Sequence, residues 1–209
     1  IKLFHTMNDR FLKCLIKNCS NIQYLDLSYC REIKNVYPLK KLHSLVFLNI
    51  KGFPSAILQM DGFHLDDAIL SSQNLLPRKG SPETFDVMGL KSFLIRLANE
   101  PEVIVPIFDR SLELSRSSAV TISENKKIII VEGNYLLLNS HPWNELNNYF
   151  DSRVMIHCEE SVLEKRLIDR WKGFNLTQDQ INQKVYENDL PNGINVIQNS
   201  IEADYYLDN

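Results

Sequence analysis

The chain has no run near the roughly 18 consecutive apolar residues that a membrane-spanning helix requires. Its opening stretch, Ile1 to Phe11, lacks the apolar core of about 7 to 15 residues that an export signal needs. A membrane partner is therefore not expected, and a cytoplasmic location is. The four cysteines, Cys14, Cys19, Cys30 and Cys158, form no C-x-x-C pair, no zinc spacing and no disulfide framework. Reduced thiols are the expectation, with Cys19 and Cys30 packed as small hydrophobes. Basic residues occur without aromatic interleaving or a nucleic-acid motif, so no nucleic acid is expected as a partner. Glycine is sparse as well: there are seven, and none is followed by lysine. That excludes, within these residues, the G-x-x-x-x-G-K-[ST] loop whose backbone amides cradle phosphates.

What is present suffices for a folded α/β protein. The 209 residues, 44% hydrophobic and 23% charged, can bury one sizeable core or two small ones. The net charge of −3 conceals a division: residues 1–53 hold 9 basic against 3 acidic side chains, while 54–209 hold the other 14 of 23 basic and 23 of 26 acidic ones. So abrupt a shift predicts two segments, 1–53 and 54–209.

The first segment repeats itself. Cys19, Ile22, Leu25 and Leu27 recur 23 residues later as Leu42, Leu45, Leu48 and Ile50, and Ile1 and Leu3 fall 24 residues before Leu25 and Leu27, so the chain reads as opening inside a repeat. Between strands, Phe11, Leu12, Leu15 and Ile16 share one helical face. This pattern resembles the cysteine-containing leucine-rich repeats, whose units bury their faces only against their neighbours. The resemblance implies a concave strand face, carrying Tyr24, Asp26 and Ser28, on which a protein partner could dock.

In the second segment, apolar strands end in acids. Ala56 to Met60 reads as a short buried strand followed by Asp61-Gly62, and Lys127 to Val131 as a β-branched strand followed by Glu132-Gly133. Open α/β sheets place ligands at such carboxyl ends, so both acids are predicted to meet at one sheet edge.

Around these acids lie six ordered motifs: Met60-Asp-Gly-Phe-His-Leu65-Asp66, Arg78-Lys-Gly80-Ser-Pro-Glu-Thr-Phe-Asp86, Pro106-Ile-Phe-Asp-Arg110, Val131-Glu-Gly-Asn-Tyr135, Arg166-Leu-Ile-Asp-Arg-Trp171 and Asn188-Asp-Leu-Pro-Asn192. Over about residues 55–209 they resemble the uridine kinase, phosphoribulokinase and bacterial pantothenate kinase superfamily of P-loop proteins. The resemblance implies a parallel sheet with flanking helices, ATP and Mg2+ as cofactors, and a small hydroxyl-bearing substrate. By resemblance, Asp61 is the catalytic acid/base and Glu132 the magnesium-associated acid. Phe63, His64, Arg78, Lys79, Asp109, Arg110 and Tyr135 line the acceptor site. Arg166 and Arg170, four apart on a helix over Ser161 to Trp171, close over phosphates, and Asn188, Asp189, Pro191 and Asn192 form a loop near the nucleotide base.

The phosphate loop that such a domain needs is the missing piece, and the place it would occupy ahead of Asp61 holds the repeat-like sequence. One substitute is Leu45 to Ile50 as the central strand, with Gly52 to Ser55 where the loop would begin. Three readings follow: a small-molecule kinase supplied with its phosphate loop from elsewhere, an inactive kinase-like interaction protein, or a truncated or chimeric join of unrelated pieces.

Overall fold

The computed structural model describes residues 8–19, 24–27, 30, 33, 47–49, 54–174 and 176–208. Helix α1 (Asp9–Asn18) begins at Asn8, whose side-chain oxygen accepts from the backbone N–H of Arg10 and Phe11 at 3.1 and 3.2 Å. Such a cap contributes about 1 kcal/mol. Leu12 and Ile16, one turn apart, are buried, whereas Phe11 is exposed, so the apolar stripe is narrower than the sequence predicts.

Strands β1 (Tyr24–Asp26) and β2 (Phe47–Asn49) pair in parallel, Leu25 opposite Leu48. The offset equals the 23-residue period of the sequence. Leu25, Leu27, Cys30 and Ile33 are buried beside it. Cys19 is not: it ends α1 in an exposed position, its N–H bonded to the Leu15 carbonyl, so the expected core packing holds for Cys30 alone. The side chains of Tyr24 and Asp26, and all of Ser28, lie outside the described residues. Among the described residues β2 pairs with β1 and not with an acid-bearing strand, which removes the reading of Leu45 to Ile50 as the centre of the kinase-like sheet.

In the second segment, β3 (Ser55–Gln59) lies parallel to β6 (Ile128–Glu132) with Gln59 opposite Glu132. Between them in sequence come α2 (Asp67–Ser72), α3 (Val87–Asn99) and an antiparallel pair, β4 (Glu102–Asp109) with β5 (Leu114–Ser123). That pair slips register after Val105, where Pro106 has no N–H to give the ladder. Polar residues hide β5 from periodicity, and the sequence reading did not contain it. Strands β7 (Val154–His157) and β8 (Tyr205–Asp208) form a further parallel pair, separated in sequence by α4 (Glu160–Lys172), α5 (Gln178–Lys184), a π-helical turn (Val185–Asp189) and α6 (Leu190–Asn199). The main core gathers Leu58, Met60, Leu90, Val105, Leu138 and Trp143 beneath β3 and β6. No described helix is long and apolar enough to cross a membrane.

Candidate functional site

The register of β3 and β6 determines where the acids go. Glu132 ends β6, and Asp61 follows β3 by two residues in a tight turn, Met60–Phe63, so the carboxyl ends of two paired parallel strands present both. Each is followed by a glycine that the packing requires. A Cβ on Gly62 would stand 2.8 Å from the Pro106 carbonyl oxygen, and one on Gly133 would stand 2.3 Å from Met60 Cβ. The backbone beyond each acid thus presses directly on its neighbour.

Arg110 unites the pair. Its Nη2 donates to Asp61 Oδ2 at 3.0 Å. Burial raises the Glu132 carboxyl above the ordinary range, the Asp61 charge adds to this, and Arg110 offsets part of it. The two acids therefore share one electrostatic neighbourhood. Asp109 shapes the turn that carries Arg110: its Oδ1 accepts from the Ser111 hydroxyl and from the N–H groups of Ser111 and Leu112, and its Oδ2 faces Arg116 at 3.4 Å. These contacts, the Ser111 hydroxyl foremost, hold the Asp109 carboxyl below its usual range.

His64 stands beside Asp61 with its ring tilted against Phe85 and Phe108, centroids 4.1 and 4.7 Å away. Its Nδ1 lies 2.8 Å from the Asp61 carbonyl oxygen, which fixes Nδ1 as the donor. Burial lowers its pKa, against an opposing contribution from that same bond. Phe63 goes elsewhere than expected: the tight turn projects it into the core, 5% exposed, edge-on to Phe93.

The Arg78-Lys79-Gly80 segment is anchored on every side. Arg78 pairs with Glu83 and donates to the Glu187 carbonyl, both at 3.2 Å. Lys79 Nζ reaches Asp67 and the Glu113 carbonyl, each at 2.7 Å, and so bridges the start of α2 and the β4–β5 turn. Gly80 takes φ +97, a conformation that favours glycine, and its carbonyl accepts from the Tyr135 hydroxyl at 2.6 Å. Tyr135 is 2% exposed, and burial raises its phenol well above the usual range. Its hydroxyl shapes this segment rather than facing an open cleft.

Arg166 and Arg170 lie one turn apart on α4 as expected; Arg166 contacts Cys158 Sγ at 3.7 Å, and Arg170 stacks 5.2 Å from the Trp171 ring. Asn188, Asp189, Pro191 and Asn192 do not form a loop. They lie within continuous helix, the first two in the π turn and the others in α6, because a proline is tolerated in the first turn of a helix. Asn192 is buried and donates to Asn188, and Asp189 accepts from Trp171.

Sequence reading missed Ser115, whose hydroxyl lies 3.4 Å from the Asp61 carbonyl oxygen and 3.3 Å from that of His64, and Arg116, the partner of Asp109. Neither falls in a recognisable motif. Among the described residues, no three His, Cys, Asp or Glu side chains gather as a metal site. Magnesium needs fewer, since it is commonly held through one or two carboxylates with waters and substrate phosphates.

Similar proteins place this geometry in context. No protein-family model matches the chain. A Silicibacter protein provisionally described as a fructose transport system kinase superposes with a TM-score of 0.71 at 35% identity, over 74% of this chain and 75% of that one. A Saccharomyces cerevisiae protein provisionally described as a circularly permuted P-loop containing kinase superposes with a TM-score of 0.64 at 25% identity, over 75% and 57%. The uncharacterised Escherichia coli protein YggC is 35% identical over 151 residues, which cover 72% of this chain and 62% of YggC. The pantothenate kinase of Ligilactobacillus salivarius is 27% identical over 67% of this chain, which spans 42% of that relative.

Proposed function

Because the chain belongs to the P-loop kinases related to uridine and pantothenate kinases, we propose that residues 54–209 form a phosphotransferase-type domain that takes ATP with Mg2+ and acts on the hydroxyl of a small metabolite. The observation that carries this reading is the pairing of Asp61 and Glu132 at adjacent parallel strand ends, with Arg110 beside both. Relatives described as acting on a nucleoside, on pantothenate and in fructose transport support the substrate class, a compact hydroxyl compound.

In this reading Asp61 accepts the proton of the attacking hydroxyl, and the hydrogen bond from Arg110 aims that carboxylate. Glu132 and Asp61 fit Mg2+: they stand at adjacent strand ends, and a carboxyl raised by burial first and by its acidic neighbour second would gain from a bound cation. Bound there, Mg2+ would neutralise charge on the transferred phosphoryl group. His64 and Phe108 wall the acceptor side, Lys79 and Arg78 hold that wall in place, and Arg166 and Arg170 offer positive charge to phosphates. Asn188 to Asn192 act on the nucleotide side through helix position rather than as a loop.

A chain without a Gly-Lys pair must receive its phosphate-binding amides from another segment or another molecule, so ATP binding and turnover are separate measurements. Thermal unfolding with millimolar ATP tests the first. At about 100 times its dissociation constant, ATP stabilises by roughly 2.7 kcal/mol, and no magnesium-dependent shift would sink the kinase reading. ADP release across a panel of nucleosides, sugars and pantothenate tests the second.

A second reading rests on the parallel pairing of β1 and β2 at the repeat spacing, with Leu25, Leu27 and Cys30 buried. It makes the first segment a leucine-rich repeat surface for a protein partner, and the kinase-like domain an inactive companion. Absence of ATP binding would favour it over the first.

A further inference from the structure

Four consecutive residues of the π turn contact two different bodies. The Tyr186 hydroxyl bonds Glu164 of α4 at 2.7 Å, and the Glu187 carbonyl accepts from Arg78 Nη1 at 3.2 Å. Asn188 Nδ2 points to the Lys79 carbonyl at 3.5 Å, and Asp189 Oδ2 accepts from the Trp171 indole of α4 at 2.7 Å. The outer two residues hold the arginine-bearing helix, and the inner two hold the Arg78–Gly80 segment. Arg78 to Gly80 is anchored on the start of α2, Tyr135 and the β4–β5 turn, whereas α4 buries no residue at all.

The sequence explains why this stretch reaches both ways. Pro191 lacks the N–H that would bond the carbonyl four residues back, which is that of Glu187. The helix accommodates the loss by a wider turn, in which the Leu190 N–H reaches back five residues to Val185. The Glu187 carbonyl, deprived of its usual donor, is the one that takes the Arg78 guanidinium. Asn192 then braces Asn188 from the next turn at 3.2 Å, and Lys184 caps the Trp171 ring at 4.6 Å.

We propose that the π turn Val185–Asp189 is a strap that couples the acceptor-side segment Arg78–Gly80 to the arginine helix α4, with Trp171, Asp189 and Pro191 as positioning residues. The roles at its two ends rest on the kinase reading above; the mechanical coupling does not. Anything that seats Arg78 steadies the Glu187 carbonyl, and through Tyr186 and Asp189 the same turn steadies α4. Loss of either end loosens the other.

Hydrogen–deuterium exchange of the full chain, without ligand, tests this apart from catalysis. Trp171→Phe keeps an aromatic ring but removes the indole donor together with part of the ring. It is expected to speed exchange by about threefold to tenfold in residues 78–84 as well as 185–189, the span expected when one hydrogen bond of local opening energy is lost. Arg78→Met should do the same in residues 160–172. Tyr186→Phe, which removes a single hydroxyl, should speed both far sides and covers the case in which a larger change fails to fold. Pro191→Ala restores the missing donor and should slow exchange in 185–191 while loosening 78–84. Effects confined to the mutated side, or a uniform rise that includes β4 and β5, would overturn the strap.

Discussion

The two parallel strand pairs of residues 54–208 bury their apolar side chains very differently. The inner face of β3 and β6 packs on a core in which Leu58 and Met60 are fully buried, shared with α3 and β4, while Ile57 and Ile130 on these strands stay 57% and 41% exposed. On β7, Val154 and Ile156 remain 50% and 61% exposed, and the adjoining helices share only a small cluster of Ile181, Val185 and Leu190. The first half is held by the larger buried core, while a smaller apolar cluster and polar links such as Trp171 to Asp189 hold the second. Local opening is therefore expected to concentrate in the helical half, so that a prebuilt acid pair faces helices able to adjust.

Five variants would break or sharpen that contrast. If chemistry belongs to the packed half, Asp61→Asn lowers turnover about 100-fold to 10,000-fold with little change in melting temperature; undiminished ADP release would detach catalysis from that strand end. Leu58→Ala should cost about 2–5 kcal/mol in a single cooperative denaturant transition. The matching Ile181→Ala should show mainly as faster exchange in residues 178–199, and equal behaviour of the two variants would erase the distinction. Gly133→Ala forces a Cβ against Met60 and is expected to cost about 1–3 kcal/mol by overpacking, read from the same denaturant curves. The smallest effect concerns pH. The folded pKa of His64 is depressed by burial, so the unfolded chain takes up the proton first. Stability from this group is complete above an ordinary histidine pKa of about 6.5 and is lost as pH falls from there through the lower folded value. His64→Gln should flatten the fall in melting temperature between about pH 7 and pH 5.

The acid-bearing strands were legible because each joins a short β-rich apolar run to an acid and a glycine, a pattern set by local geometry. The register that sets Leu25 opposite Leu48 equals the 23-residue spacing of the sequence. Strand β5 was not legible, since its run from Ser115 to Thr121 is mostly polar and pairs through its backbone. Phe63 was expected at the site by family resemblance, but two residues along the tight turn from Asp61 its side chain enters the core. Asn188 to Asn192 were expected as a loop by family resemblance, and only three-dimensional context reveals a helix that widens instead. Lys79 and Tyr135 were found by motif, yet their partners, Asp67, Glu113 and Gly80, are supplied by distant segments.

The register that sets Gln59 beside Glu132 spans 73 residues, against 23 for Tyr24 beside Phe47. Loop-closure entropy makes the longer span dearer by about 1 kcal/mol, and contacts of such separation tend to form late. A chain emerging from the ribosome has no acid pair until Glu132 has cleared the exit and travelled back to β3. Protease cleavage in the exposed turn around Arg110 to Glu113 would strike the span on which that reunion depends.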